Sequence, residues 1–264
     1  MGDGYLKVAS NNRWRVSAHT LGFRASYVDF FSQSQNDALS IRVSDAFAPD
    51  GSAWKFSGAL MTNIYTSGSP GTTDESFTSY GMDFAAVREK SLAQATLLEF
   101  GGGSRLRFFP SFSGRTDFVF YGSAAIDHEF NGKLTMTGFT ELGLLLSTLP
   151  DYSRTYLDIG GSADYALPAR WNWTTELSIG QSFFMSRSVS TTTLVTERRG
   201  RMISGTRTEN ESYSSFNFST EAIRKETESF KWGASLSSTN QTSKSGYQDF
   251  SAVDIMARLI WNLN

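Results

Sequence analysis

The chain has 264 residues, a formal net charge of −2 at pH 7 and no cysteine. The near-neutral charge and the lack of a Lys/Arg run that could follow a phosphate backbone argue against a nucleic-acid partner. Without cysteine, the chain forms no disulfide framework, thiolate nucleophile or iron–sulfur cluster. The length suits one large β-domain, because sandwiches and barrels run to roughly 200–250 residues undivided.

Apolar and polar residues alternate with period two along nearly the whole chain, which places the two sets on opposite faces of β-strands. The longest apolar stretch, around 142–146, is far shorter than the roughly 18 residues of a membrane-spanning helix. The sequence therefore predicts an all-β fold. Twelve strands are expected, at 13–31, 38–48, 53–66, 76–88, 91–112, 115–130, 133–146, 153–166, 170–190, 208–225, 228–241 and 248–263.

Short and long connections alternate strictly between these predicted strands. The short ones carry turn signals at 49–51, 88–90, 131–132, 167–169 and 224–226, and most of the others are longer and rich in small polar residues. Short turns at one end and loops at the other are typical of a transmembrane barrel with an even number of strands. Both termini are then expected at the short-turn end. This parity requires the run 101–103, which is three glycines, to lie inside a strand rather than in a turn.

Aromatic residues are sorted by end in this arrangement. Tryptophan concentrates at membrane–water interfaces, because its ring is apolar and its N–H needs a polar partner. The short-turn girdle is predicted to consist of Trp14, Trp54, Trp171, Trp173, Trp232 and Trp261. The loop-end girdle contains Tyr27, Phe30, Tyr65, Phe77, Tyr80, Phe112, Phe118, Phe183, Phe216 and Phe250. A soluble β-sandwich is the alternative, but it does not explain this sorting, and five prolines are few for its edges.

The sequence resembles the outer-membrane β-barrel proteins of Gram-negative bacteria over essentially its whole length. Its last strand, with Leu259, Trp261 and Leu263 at alternate positions, looks like the C-terminal signal of that superclass, although it ends on Asn264 rather than an aromatic residue. The resemblance implies a single antiparallel up-and-down transmembrane barrel of about 12 strands over residues 1–264, with 1–12 as a short periplasmic segment. It also implies location in the outer membrane, contact with its lipid and lipopolysaccharide, and no cofactor.

The two histidines do not support an enzyme. Outer-membrane lipid hydrolases of this superclass use a His-x-Ser pair on one strand, whereas His19 and His128 are followed by Thr-Leu and Glu-Phe. The Asp–His couple of the superclass's proteases, at the extracellular rim, is not found either. We expect His19 on the inner face with Arg15, and His128 on the outer face near the turn at 131–132. Catalysis is therefore not predicted, and no catalytic or metal-binding residue is assigned.

Charged residues on the non-apolar face are predicted to line the lumen. Opposed basic and acidic walls would create a transverse field that filters solutes by charge; interior salt bridges that plug the barrel are the alternative. The predicted basic wall is Arg15, Arg42, Lys55, Lys231 and Arg258, and the acidic wall is Glu99, Asp127, Glu141, Asp158, Asp164 and Glu176.

The connection 191–207 carries Arg198, Arg199 and Arg201 and is predicted to be the longest. It could constrict the mouth or dock lipopolysaccharide, but a solvated extension of the strands with alternating threonines is favoured. The leading hypothesis is a passive channel for small hydrophilic solutes. The alternative is a closed structural barrel that anchors or partners a larger envelope assembly, and a lipid hydrolase ranks third.

Overall fold

A computed structural model describes residues 5–16, 18–30, 38–65, 78–110, 114–196, 202–227, 230–246 and 249–261. Thirteen strands in this part of the chain form one up-and-down sheet in the order β1 to β13. The strands are β1 Tyr5–Val16, β2 His19–Phe30, β3 Ala38–Phe47, β4 Trp54–Tyr65, β5 Ser79–Ala93, β6 Thr96–Phe109, β7 Arg115–Phe130, β8 Leu134–Ser147, β9 Arg154–Leu167, β10 Trp171–Thr196, β11 Met202–Lys225, β12 Phe230–Ser243 and β13 Phe250–Trp261. The predicted all-β antiparallel architecture is confirmed.

The two faces of the sheet are inverted relative to a water-soluble protein. Large apolar side chains on one face are exposed, with Leu60 62% and Ile255 79% accessible. The buried apolar side chains Ala59, Val119, Leu145 and Phe184 instead lie on the opposite face, among the charged residues. We call these the apolar face and the polar face. A soluble sandwich buries its apolar face, so this distribution argues against that alternative.

The short turns have the backbone conformations expected of hairpins. Asn131 and Gly132 both have positive φ, at 48° and 65°, as a two-residue type I′ turn requires. The hairpin predicted at this dipeptide is confirmed. The turn predicted at 88–90 is wrong, because β5 continues to Ala93 and the chain reverses at 94–95. The backbone N–H of Glu89 still donates to Ala53, so these charged residues prolong the strand pairing.

The first predicted strand is in fact two strands. β1 and β2 are joined at 17–18 and pair along their whole length, from Tyr5 opposite Phe30 to Val16 opposite His19. Residues 5–12, predicted as a short periplasmic segment before the barrel, belong to β1, which starts at the loop end of the sheet. The strand count is therefore 13, and the expectation that both termini lie at the short-turn end is wrong. The connection contains no Gly, Pro or Asn, so the residue types that usually indicate a turn did not predict it.

The glycine run 101–103 lies inside β6, as the parity argument required. A Cβ on Gly101 would collide with the carbonyl oxygen of Ala86, and one on Gly103 would collide with that of Phe84. The side chain of Tyr121 also fills the space above Gly103, with its hydroxyl 2.6 Å from the position of such a Cβ. The glycines are thus explained by close approach of neighbouring groups rather than by a turn.

The described chain forms two compact units. The first contains β1–β4 with most of β5, most of β6 and the first half of β7, and the second contains β9–β13 with most of β8 and the second half of β7. In the part of the chain described here, no helix is long and apolar enough to cross a membrane. The contacts described below each lie within one unit.

Candidate functional site

Arginine side chains gather on the polar face of β1–β3. Arg24 on β2 lies directly opposite Arg42 on β3, and Arg13 on β1 is paired with Gly22, one position along that face from Arg24. Arg15 lies opposite Thr20 on the same face. We call Arg13, Arg15, Arg24 and Arg42 the arginine cluster. Like charges directly opposite each other on neighbouring strands repel, so this arrangement lowers the stability of the sheet.

Arg13 and Arg24 were not predicted as part of this cluster. The chain reversal between Val16 and His19 was missed, so residues after it were assigned to the wrong face, which explains the omission of Arg24 and the misplacement of His19 but not the omission of Arg13. The observed pairing places Arg24 with Arg15 on the polar face and His19 with Trp14 on the apolar face. The predictions for Arg15, Arg42 and Lys55 as polar-face residues agree with the structure, whereas the inner-face prediction for His19 is wrong.

Two cations on the polar face of β3 and β4 are neutralised by β5. Arg42 Nη1 lies 2.9 Å from Asp83 Oδ2, and Lys55 forms an ion pair with Glu89. Arg13, Arg15 and Arg24 have exposed side chains. This part of the polar face therefore presents positive charge to solvent on β1 and β2 and compensated charge on β3–β5.

The predicted acids lie on the polar face of β6–β10, and three accept hydrogen bonds from hydroxyls of the next strand. Thr137 donates to Asp127 at 2.6 Å, Tyr156 to Glu141 at 2.7 Å and Thr174 to Asp164 at 2.5 Å. The remaining predicted acids are Glu99, Asp158 and Glu176. These hydrogen bonds hold each carboxylate in place without neutralising it.

A second cluster, not predicted, forms where the β10–β11 pairing shifts between Phe183 and Ser188. The guanidinium of Arg154 lies 5.6 Å from the ring centre of Phe184 and 5.4 Å from that of Tyr213, and Arg187 lies 5.5 Å from Phe184. Glu211 is 1% exposed and accepts a hydrogen bond from the Ser245 N–H at 3.3 Å. A bulge interrupts the period-two pattern, so sequence alternation carried no signal for this cluster.

One ion pair on the polar face is nearly buried. Arg115 donates two hydrogen bonds to Asp117, 2.8 Å from Nε to Oδ1 and 2.5 Å from Nη2 to Oδ2. The Asp117 side chain is 4% exposed. The guanidinium also lies 4.8 Å from the ring centre of Phe109. This pair fills part of the polar face at the loop end of β7.

The described tryptophans lie on the apolar face at the short-turn end. The rings of Trp171 and Trp232 meet edge to face at 5.1 Å, and Trp173 Nε1 donates to Thr220 Oγ1 at 2.6 Å. The side chains of Trp261 and of the predicted lumen residue Arg258 lie outside the described residues, as do those of Phe30, Tyr65, Phe77 and Phe112. Exposed aromatics at the loop end are Tyr27, Tyr80, Phe118, Phe183, Phe216 and Phe250.

Both histidines lie on the apolar face. His128 Nδ1 is 2.8 Å from Thr96 Oγ1 and its ring meets Phe130 at 4.3 Å, as expected for an interfacial imidazole. His19 Nδ1 is 2.8 Å from Asp45 Oδ2, and its ring stacks on Phe47 at 4.7 Å. The chain thus has an Asp–His couple, but at the short-turn end. Among the described residues, no group of three or more His, Asp or Glu side chains could hold a metal ion.

The predicted loop at 191–207 is largely strand. Residues 188–196 of β10 pair with 202–210 of β11, so the favoured interpretation as a strand extension is confirmed. Arg198, Arg199 and Arg201 lie outside the described residues.

No family model matches the sequence, and no curated protein matches it either. Among solved structures, the chain is similar to the porin NanC, with 9% identity over 97% of this chain and 99% of that one and a TM-score of 0.47.

Proposed function

We propose that the chain is an outer-membrane β-barrel that acts as a passive diffusion channel for small hydrophilic solutes. The observation that carries the proposal is the inversion of the two faces: large apolar side chains are exposed on one face, and the buried side chains lie on the other face with most of the charged residues. Lipid can cover the apolar face, and closure of the up-and-down sheet would enclose the polar face. Tryptophans at one end and Phe/Tyr at the other then mark the two interfaces.

In this proposal, the charges of the polar face line the path of the solute. The basic wall consists of Arg15, Arg42, Lys55, Lys231 and Arg258, joined by Arg13 and Arg24, and it belongs to β1–β4 and β12–β13. The predicted acids belong to β6–β10. A lumen with segregated charges of both signs imposes a field on passing solutes and discriminates by charge. The proposed activity needs no cofactor and no catalytic residue.

A closed barrel that anchors or partners an envelope assembly is the second candidate, and one observation favours it. The nearly buried Arg115–Asp117 pair and the cluster around Phe184 fill parts of the polar face, as in barrels plugged by interior side chains. Single-channel recording decides between the two. In the channel, the refolded protein produces steady ohmic steps in a planar bilayer, with a reversal potential displaced from zero in a salt gradient.

The double variant Arg42→Ala, Lys55→Ala tests the lumen directly. It removes the ion pairs of Asp83 with Arg42 and of Glu89 with Lys55, so the channel should become more selective for cations. Leu60→Ala on the apolar face of β4 is the matched control and should leave the reversal potential unchanged. A silent bilayer, with insertion verified by heat-modifiable gel mobility, would overturn the channel and support the closed barrel.

A further inference from the structure

Asp45 is a carboxylate in an unexpected place. The register of β2–β5 aligns Leu21, Asp45, Gly58 and Phe84 in one row on the apolar face, and Trp14 on β1 continues the row. Among the strand acids whose side chains the structure describes, no other Asp or Glu occupies an apolar-face position. An ionisable group on a lipid-facing surface is costly and commonly marks a functional site. The row also places Asp45 at the level of an interfacial tryptophan.

The carboxylate is held from one side only. His19 Nδ1 lies 2.8 Å from Oδ2, and the imidazole is fixed by stacking on Phe47. Oδ1 is buried and has no hydrogen-bond partner. A buried acceptor without a donor is unfavourable. The Asp45 side chain as a whole is 42% exposed, so a donor from outside the chain can approach the carboxylate.

An apolar groove surrounds this carboxylate. Gly58 leaves an opening in the row, and the groove of about 460 Å³ is bordered by Val43, Phe47, Phe56, Leu60 and Phe84. Asp45 lies between the Phe47–Phe56 row and the Val43–Leu60 row. An open, mainly apolar groove with one carboxylate in its lining suits a lipid better than a polar solute.

We propose that this groove binds phosphatidylethanolamine, with an acyl chain against Val43 and Leu60 and the ammonium group donating to the Asp45 carboxylate. The proposal rests on the membrane location argued above. The ammonium is complementary to the carboxylate and brings three donors, whereas the anionic headgroup of phosphatidylglycerol would meet a like charge. His19 positions the carboxylate and does not contact the lipid in this arrangement.

The test uses the full-length protein in nanodiscs with equal amounts of phosphatidylethanolamine and phosphatidylglycerol, followed by native mass spectrometry of the lipids that stay bound after transfer to detergent. The wild type should retain phosphatidylethanolamine preferentially. Asp45→Asn keeps the shape of the side chain but removes its charge, and should reduce that preference about tenfold, since charge-assisted hydrogen bonds are the strong ones.

Gly58→Leu should abolish retention, because the new side chain fills the groove. Gly122→Leu is the matched control: Gly122 is another apolar-face glycine, it is exposed, and an added Cβ there meets only ordinary contact, the nearest atom being Gly101 O at 3.8 Å. Equal retention of both lipids by the wild type, or undiminished retention in Gly58→Leu, would overturn the site. Conductance is recorded on the same samples. Silent bilayers with selective lipid retention would overturn the channel and leave the lipid site intact.

Discussion

The polar face holds positive and negative charge in two different ways. On β7–β10, Asp127, Glu141 and Asp164 are each tethered by a hydroxyl of the neighbouring strand. On β1 and β2, Arg13 and Arg24 are exposed on long, flexible side chains. Tethered acids set a fixed local field, whereas exposed guanidinium groups can follow a passing anion. In the proposed channel, we therefore expect the arginines to influence charge selectivity more than the acids do.

The largest effect is expected at Asp117 on β7, where charge is buried rather than solvated. Asp117→Ala would leave the Arg115 guanidinium without its carboxylate, and we expect a loss of about 3–5 kcal/mol in the free energy of unfolding. Urea titration in phospholipid vesicles, followed by tryptophan fluorescence, measures it. The double variant Arg115→Met, Asp117→Leu should lose much less, because it removes both buried charges of the pair. Equal losses in the single and double variants would show that packing, not charge, accounts for the effect.

Removing the exposed arginines tests whether they affect charge selectivity more than the hydrogen-bonded acids do. The triple variant Arg13→Ser, Arg15→Ser, Arg24→Ser should lower the anion-to-cation permeability ratio by roughly tenfold, since a field of one sign raises the local concentration of counter-ions. The matched triple variant Asp127→Asn, Glu141→Gln, Asp164→Asn should raise the ratio by a smaller factor. Reversal potentials in a KCl gradient give both values. A larger effect from the acid triple would reverse the conclusion about which charges dominate.

The tether of one acid can be removed alone. Thr137→Val deletes the hydroxyl that donates to Asp127 and should cost about 1 kcal/mol of unfolding free energy. Thr140→Val on the exposed apolar face of the same strand is the control, and it should be neutral or slightly stabilising. Urea midpoints in vesicles compare the two. If both variants unfold alike, the hydroxyl does not restrain the carboxylate.

The smallest effect is expected outside both regions, in the turn between β9 and β10. Ala169 has φ of 58°, in the left-handed region that a side chain disfavours. Ala169→Gly should therefore raise the free energy of unfolding by about 0.5–1 kcal/mol, with the polar-face charges untouched. Ala163→Gly within β9 should do the opposite, because glycine weakens a strand interior. Unchanged channel selectivity in both variants is expected, and a change would link the turn to the lumen.

Much of the fold was predictable because its signals are local. Alternation of side chains reports the two faces of each strand, and Asn131-Gly132 specifies a hairpin through the positive φ of both residues. The positions of the tryptophans likewise follow from their distance to a turn. The exceptions are also instructive: polar residues at 88–90 resembled a turn but extend β5, and the glycines at 101–103 resembled a turn but accommodate neighbouring groups.

By itself, the sequence determined the all-β architecture, the exposed apolar face, the location of the described tryptophans at the short-turn end and the polar-face location of most predicted charges. Only the tertiary structure decided which arginines lie next to each other. The face of every residue in β2 depends on the chain reversal between Val16 and His19, which no Gly, Pro or Asn signals in the sequence. The tertiary structure also decided that Asp45 stands beside His19 in an apolar groove, and that Arg154 and Arg187 meet Phe184 at a bulge. Alternation is a property of one strand, whereas these contacts depend on the register between strands distant in the chain.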